Sequence, residues 1–190
     1  INLVRMIRMM RDNQIFENGK PIPKHAPDFF IGAVENPFAP PFDFRPLRVA
    51  KKVAAGAQFI QTQLIFNVPR FREFMARIVD LGLHEKVAIL AGVGPVRSLK
   101  AAEYMAHDVA GMDVPEWVLE RLAPLSKEDQ AKAGLDMCCE IAEQVRQIPG
   151  VAGLHIMAVS WPEGVPQVVK NLGLYPRPVL EEEPQPAAVA

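Results

Sequence analysis

Continuous apolar runs of strand length alternate with amphipathic helical patterns along the chain. The four apolar runs are FFIGAVEN, FIQTQLIF, KVAILAGVG and GLHIMAVS, and none of them alternates cleanly between apolar and polar positions. Between the runs, apolar residues recur at the spacing of a helix, most clearly in NVPRFREFMARIVDLG. Buried strands that alternate with helices are typical of a parallel sheet covered by helices. The pattern therefore predicts an α/β fold.

Local signals mark where the predicted helices begin. Asn67 can cap the helix after FIQTQLIF, and Ser126 and Asp129 have the spacing of a capping box before the longest helical pattern. One further helix, in INLVRMIRMMRDNQIF, precedes the first strand. We predict this helix and four strand–helix units in a single domain over residues 1–178. Residues 179–190 have too little apolar content to pack and are predicted to be a disordered tail.

Repeated strand–helix units of this kind are typical of a (β/α)8 barrel, which usually needs about 250 residues. The 190 residues of this sequence are enough for about half of such a barrel. The sequence also begins at Ile1, inside a helical pattern, which predicts that it starts partway through a longer polypeptide. No G-x-G-x-x-G follows the first strand, and GVGPVRS lacks the P-loop lysine, so Rossmann and P-loop folds are not favoured.

Composition and charge exclude several classes of partner. Hydrophobic residues make up 49% of the chain, charged residues 23%, and the net charge is −1, which is typical of a soluble globular protein without a nucleic-acid footprint. No apolar run approaches the roughly 20 residues of a membrane-spanning helix. The two cysteines, Cys138 and Cys139, are adjacent and form no disulfide framework, so we expect a reducing, cytoplasmic location. No metal-ligand spacing is present.

Polar residues follow the predicted strands where a barrel has its chemistry, at the carboxyl ends. These are Glu35 and Asn36 after the first strand and Gln61 and Gln63 in the second. The period of two places both glutamines on one face, with Gln63 nearer the end. Gln63 could present its amide to a planar, hydrogen-bonding ligand. Alternatively, the two amides could bond each other or ordered water. The pattern leaves both interpretations open.

Other polar residues have an ordinary structural interpretation beside a functional one. His155 in GLHIMAV could be an acid–base group or a ligand, but a histidine satisfied within the core is the more usual case. Adjacent helical positions diverge by about 100°, so Cys138 and Cys139 suit core packing better than a dithiol pair. Lys51 and Lys52 are consistent with a solvated helix face.

Three segments together resemble methylenetetrahydrofolate reductases: NPFAPPFDFRPLRVAKKVAAGAQFIQTQLIFNVPRFREFM, ILAGVGPVRSLKAAEYM and GVAGLHIMAV. The similarity runs from about Phe29 to Pro178, and AGAQFIQTQ is its most specific part. It implies the carboxyl-terminal half of a flavoprotein (β/α)8 barrel. Members of that family reduce 5,10-methylenetetrahydrofolate to 5-methyltetrahydrofolate through FAD, with NADH or NADPH as electron donor, in one-carbon metabolism and methionine biosynthesis.

The resemblance also implies roles for particular residues. Gln63 matches a glutamine that contacts the pterin ring of the folate, and Gln61 would support it from one layer deeper. Lys52 matches a lysine that contacts the flavin nucleotide, and Asn36 falls in the loop near the flavin. Met105 stands where a phenylalanine stacks on the folate.

The sequence departs from the family pattern at several of these positions. Trp161 replaces an arginine used for the folate tail, and Arg45 replaces an aspartate near the flavin ribose, with Asp43 close by. The catalytic glutamate and the aspartate beside the flavin would come from strands that precede Ile1. The resemblance therefore predicts no catalytic residue within this chain, and it predicts a divergent branch of the family.

Two other functions are compatible with the sequence. The chain could be a non-catalytic half-barrel, a subunit or scaffold that needs another chain to close it. It could also be part of another folate-binding barrel enzyme, such as a methyltransferase. The expected partners are a folate, an amino-terminal half-barrel or partner subunit, and other copies in an oligomer.

Overall fold

The computed structural model describes residues 1–25 and 27–177. Its strands are β1 (Gly32–Glu35), β2 (Phe59–Leu64), β3 (Ala88–Val93) and β4 (Val151–Ile156). They form one parallel sheet in the order β1-β2-β3-β4, so each strand pairs with the next along the chain. The predicted tail lies outside the described residues.

The helices follow the predicted order of one helix and then four strand–helix units. They are α1 (Asn2–Asn13), α2 (Arg45–Ala55), α3 (Val68–Asp80), α4 (Leu99–His107), α5 (Glu116–Leu122), α6 (Lys127–Arg146) and α7 (Val165–Asn171), with short 3-10 turns at Phe42–Phe44 and Pro162–Gly164. Among the described residues, no helix is both long and apolar enough to cross a lipid bilayer. The predicted α/β class is confirmed, and the arrangement is consistent with four units of a (β/α)8 barrel.

The capping signals act as the sequence predicts. The side chain of Asn67 accepts a hydrogen bond from the Arg70 backbone N–H at 3.1 Å and so caps α3. Ser126 Oγ accepts from the Asp129 backbone N–H at 3.2 Å and donates to the Asp129 carboxylate at 2.6 Å. These bonds satisfy backbone donors that a helix otherwise leaves without partners in its first turn.

The hydrophobic core lies between the sheet and its helices. In β2, Ile60, Thr62 and Leu64 are buried against the helices, so Gln61 and Gln63 share the other face, as the period of two predicts. Helix α3 contributes to this core. Its buried apolar face consists of Val68, Phe71, Phe74, Met75 and Ile78. Ile89 of β3 is fully buried in the same layer, which leaves Leu90 on the opposite face of the sheet.

The opposite face of the sheet has no helix over it among the described residues, and we call it the open face. Its members are Phe30, Val34, Phe59, Gln61, Gln63, Leu90, Gly153 and His155. Phe30 and Val34 are 69% and 70% exposed. The rings of Phe30 and Phe59 stack with centroids 5.4 Å apart. Apolar side chains in a row on an exposed sheet face are typical of an interaction surface.

A close approach of backbone fixes α6 against the loop that follows β3. A Cβ atom added at Gly134, within α6, would lie 1.7 Å from the carbonyl oxygen of Val96. No side-chain movement can relieve a clash with backbone. Only glycine fits at this crossing.

We therefore expect Gly134→Ala to destabilise the protein by about 2–4 kcal/mol, although alanine favours an isolated helix by about 1 kcal/mol. The measurement is the free energy of unfolding followed by circular dichroism. Gly153→Ala is the matched control, because its Cβ would meet Leu90 at an ordinary 3.4 Å. Equal stability of the two variants would contradict the packing described.

Candidate functional site

A pocket of about 280 Å³ lies at the carboxyl ends of β1, β2 and β4, where the sequence predicts the site. Its lining consists of Val34, Glu35, Asn36, Gln61, Thr62, Gln63, His155 and Met157. The structure thus brings together three of the five predicted site residues, Asn36, Gln61 and Gln63. The other two, Lys52 and Met105, do not line it.

An irregularity in β2 shapes this pocket. Gln61 pairs with Leu90 but Leu64 pairs with Gly92, so β2 carries one extra residue at this point. The hydroxyl of Thr62 replaces a backbone partner by accepting from the Gly92 N–H at 2.8 Å. Bulges of this kind interrupt the hydrogen-bond ladder locally and are frequent beside functional sites.

The bulge determines what Gln63 can offer to a ligand. Its Oε1 accepts from the Leu64 backbone N–H at 3.0 Å. Within the described residues, its Nε2 has no partner. Because an amide nitrogen carries two N–H groups, Gln63 presents two donors to the pocket.

Gln61 bonds a residue that the sequence analysis expected in the core. Its Nε2 lies 3.2 Å from Nδ1 of His155, so the two glutamines do not bond each other. His155 is half-buried and lines the pocket, which differs from the expected core position. The pairing joins side chains two strands apart, and no local sequence signal indicates it.

One residue of the pocket wall, Glu35, has a buried carboxylate. The Glu35 side chain is 2% exposed, and its carboxylate contacts Lys52 Nζ at 2.5 Å and Arg45 Nη1 at 3.4 Å. Lys52 Nζ also donates to the carbonyl oxygen of Val34. Arg48 Nε lies 4.0 Å from the carboxylate. A buried charge is tolerated when it is paired and hydrogen-bonded, and this one is both.

The interpretation of Lys52 as part of a solvated face is wrong. The residue is 8% exposed and belongs to the buried stripe of α2, with Val49 and Ala55 at three-residue spacing on either side. That spacing was a sequence signal for burial, and Glu35 at the end of β1 was the available counter-charge. The role of Lys52 as a flavin contact stays a prediction.

Asn36 holds the loop after β1 in place. Its Nδ2 donates to the carbonyl of Gly111 at 2.9 Å, and its Oδ1 accepts from the Phe38 N–H at 3.0 Å. The amide therefore ties this loop to the segment after α4. Its predicted contact with a flavin is likewise untested.

Met105 and Cys138 lie in the hydrophobic core, where they are 5% and 2% exposed. The structure does not bring Met105 to the pocket, so its role in stacking on a folate stays a prediction without support from the geometry. Burial raises the pKa of the Cys138 thiol to about 12, which agrees with the predicted packing role. Across residues 1–25 and 27–177, no cluster of three or more histidine, cysteine or acidic side chains could hold a metal ion.

Comparison with known proteins decides the family. The sequence model described as methylenetetrahydrofolate reductase matches residues 32–173, most of the chain. The chain belongs to the methylenetetrahydrofolate reductase family. The resemblance carried by AGAQFIQTQ is thereby confirmed.

The similar members of the methylenetetrahydrofolate reductase family are much longer than this chain. The chain is 24% identical to a probable methylenetetrahydrofolate reductase (NADPH) of Caenorhabditis elegans, over 74% of this chain and 21% of that protein. It is 26% identical to the 5,10-methylenetetrahydrofolate reductase of Escherichia coli K12, over 68% of this chain and 43% of that protein. The chain therefore spans less than half the length of these relatives.

A solved structure shares the fold. It is an uncharacterized protein from Clostridium thermocellum that binds two copies of 5-methyl-5,6,7,8-tetrahydrofolic acid. The likeness covers 75% of this chain and 52% of that one, with a TM-score of 0.59 and 19% identity. At this identity the likeness shows the α/β architecture alone.

The ion pair of Glu35 and Lys52 can be tested by a double-mutant cycle. Glu35→Gln or Lys52→Met alone leaves a buried charge without its partner, so we expect each to lower the free energy of unfolding by about 3–5 kcal/mol. The double variant should recover much of that loss. Simple addition of the two losses would contradict the pairing.

The exposed pair of Arg121 and Glu140 is the control for that cycle. Its atoms lie as close as 2.5 Å, but both side chains are more than a third exposed. Solvent screens such a pair, so Glu140→Gln should cost about 0–1 kcal/mol.

Proposed function

We propose that the pocket binds a reduced folate and that the complete protein reduces 5,10-methylenetetrahydrofolate to 5-methyltetrahydrofolate. The observation that carries the proposal is the Gln63 amide, whose Nε2 is left as a donor by the bulge in β2. Membership of the family supports the reaction, and the pocket at the strand ends supports the place of binding. A pterin ring offers carbonyl and ring-nitrogen acceptors to such a donor.

The carboxylate of the pocket is not arranged for proton transfer. Glu35 is the one carboxylate among the described lining residues, and Lys52 and Arg45 engage it. A general acid or base needs an atom within reach of the substrate and a proton it can exchange. We therefore assign acid–base chemistry to residues outside this chain, as the resemblance implies.

The two residues predicted to contact a flavin do not fit that role as they are arranged here. Lys52 Nζ is occupied by Glu35 and Val34, and both polar atoms of the Asn36 amide have partners. Flavin dependence and a nicotinamide electron donor stay proposals for the complete protein, based on its family alone. This occupation of Lys52 favours a second candidate, a folate-binding barrel enzyme that needs no flavin. A flavin absorption spectrum in the purified complete protein would decide between them.

The open face supports a proposal about assembly. We infer that further strand–helix units, on the same polypeptide or on another, cover Phe30, Val34 and Phe59 and complete a barrel. Closing a sheet into a barrel removes its two edges and buries its inner face. The greater length of the relatives supports this inference.

The folate proposal predicts the effect of removing the Gln63 amide. We expect Gln63→Ala in the complete protein to weaken binding of 5-methyltetrahydrofolate about tenfold, because one hydrogen bond of about 1–1.5 kcal/mol is lost. Isothermal titration calorimetry measures the change. Gln144→Ala, which removes an exposed amide on α6, should bind as the unaltered protein does. Unchanged affinity in Gln63→Ala would remove Gln63 from the site.

The assembly proposal predicts the behaviour of the 190-residue chain by itself. We expect it to self-associate in size-exclusion chromatography, because its open face buries apolar area only against another molecule. Phe30→Ser with Val34→Ser should shift the equilibrium toward monomer. Tyr104→Ser removes a similarly exposed aromatic ring from α4 and should leave association unchanged. A stable monomer before any substitution would contradict the proposal.

A further inference from the structure

The bond between Gln61 and His155 constrains the chemical state of both side chains. The Gln61 amide nitrogen can only donate, so Nδ1 of His155, 3.2 Å away, must accept. An imidazole that accepts at Nδ1 is neutral and carries its proton on Nε2. The structure thus assigns one tautomer to His155.

This bond also leaves one atom of Gln61 available. Its Oε1 has no partner among the described residues, and Gln61 lines the pocket beside Gln63. Gln63 presents N–H donors there, since its own Oε1 is occupied. The two side chains come from positions about 6.6 Å apart along one strand. The pocket therefore combines an acceptor from Gln61 with donors from Gln63.

We propose that His155 is a positioning residue that holds the Gln61 amide so that Gln61 and Gln63 together recognise the adjacent N–H and C=O groups of a lactam. The inference rests on the proposed function, because the 4-oxopteridine ring of a folate has this edge. Gln61 Oε1 accepts from the ring N–H, and Gln63 Nε2 donates to the ring carbonyl.

The orientation matters because the reversed amide would oppose the ligand. If His155 carried its proton on Nδ1, Gln61 would turn its amide oxygen toward the imidazole of His155. Its NH2 group would then point into the pocket. The pocket would then offer donors at both positions, and the lactam N–H would have no acceptor. A donor buried without a partner costs more than a hydrogen bond gains.

The first test needs no ligand. Long-range nitrogen–proton correlation spectra of the complete protein, labelled with 15N-histidine, report the tautomer, and the His155 signals are those lost in His155→Leu. We expect the proton on Nε2. A proton on Nδ1 in the unaltered protein would overturn the proposal, whether or not folates bind.

The second test compares three variants by calorimetric titration with 5-methyltetrahydrofolate. His155→Leu removes the acceptor and should weaken binding about tenfold, whereas His155→Asn can accept through Oδ1 and should restore most of the affinity. His107→Leu, at the exposed end of α4, is the control and should have no effect. Thermal unfolding of each variant shows that it is folded.

The positioning role would be overturned if His155→Leu bound the folate as tightly as the unaltered protein. It would also be overturned if His155→Leu and His155→Asn lost the same affinity. A folate methylated at the lactam nitrogen should bind weakly and lose its dependence on His155. If the unaltered protein bound no folate, the proposed function would fail, while the tautomer measurement would still decide the state of the pair.

Discussion

A parallel sheet buries both of its faces, and the described part of this chain covers one of them. This constraint explains how the open face is divided. Its amino-terminal end carries stacked aromatic rings, which need only an apolar cover. Its carboxyl-terminal end carries amides and an imidazole, which need partners with defined donors and acceptors. The apolar surface and the pocket therefore lie on the same face of the sheet.

Ion pairs of Glu35 stabilise the wall of the pocket at the end of β1. Glu35 brings a carboxylate into the layer between β1 and α2, and three basic side chains of α2 lie around it. This arrangement fixes the end of β1, from which the pocket wall begins. It also uses the lysine that the family resemblance associates with a flavin. In this geometry, two of the three N–H donors of Lys52 are used by Glu35 and Val34.

Sequence reasoning succeeded where the cause is local. Strand runs, the Asn67 cap and the period of two in FIQTQL follow from neighbouring residues, and each is present in the structure. It failed where the partner is distant. The bond from Gln61 to His155 spans 94 positions, and the bulge at Thr62 depends on the register with β3. Lys52 shows how a general rule can outweigh a local signal. The three-residue spacing of Val49, Lys52 and Ala55 indicated burial, but lysines are usually exposed, so a solvated side chain was expected.

The order of the strands in the sheet has a consequence for how the chain acquires its structure. Every strand pairs with the one that follows it in sequence. Each pairing therefore closes a single crossover, and the longest crossover contains α4, α5 and α6 between β3 and β4. The entropy of loop closure is therefore lost in separate steps, one for each crossover between neighbouring strands. A chain emerging from the ribosome can add one unit at a time to the edge already formed. In the described sheet, β1 and β4 are the edges, and an edge is where a further strand can pair.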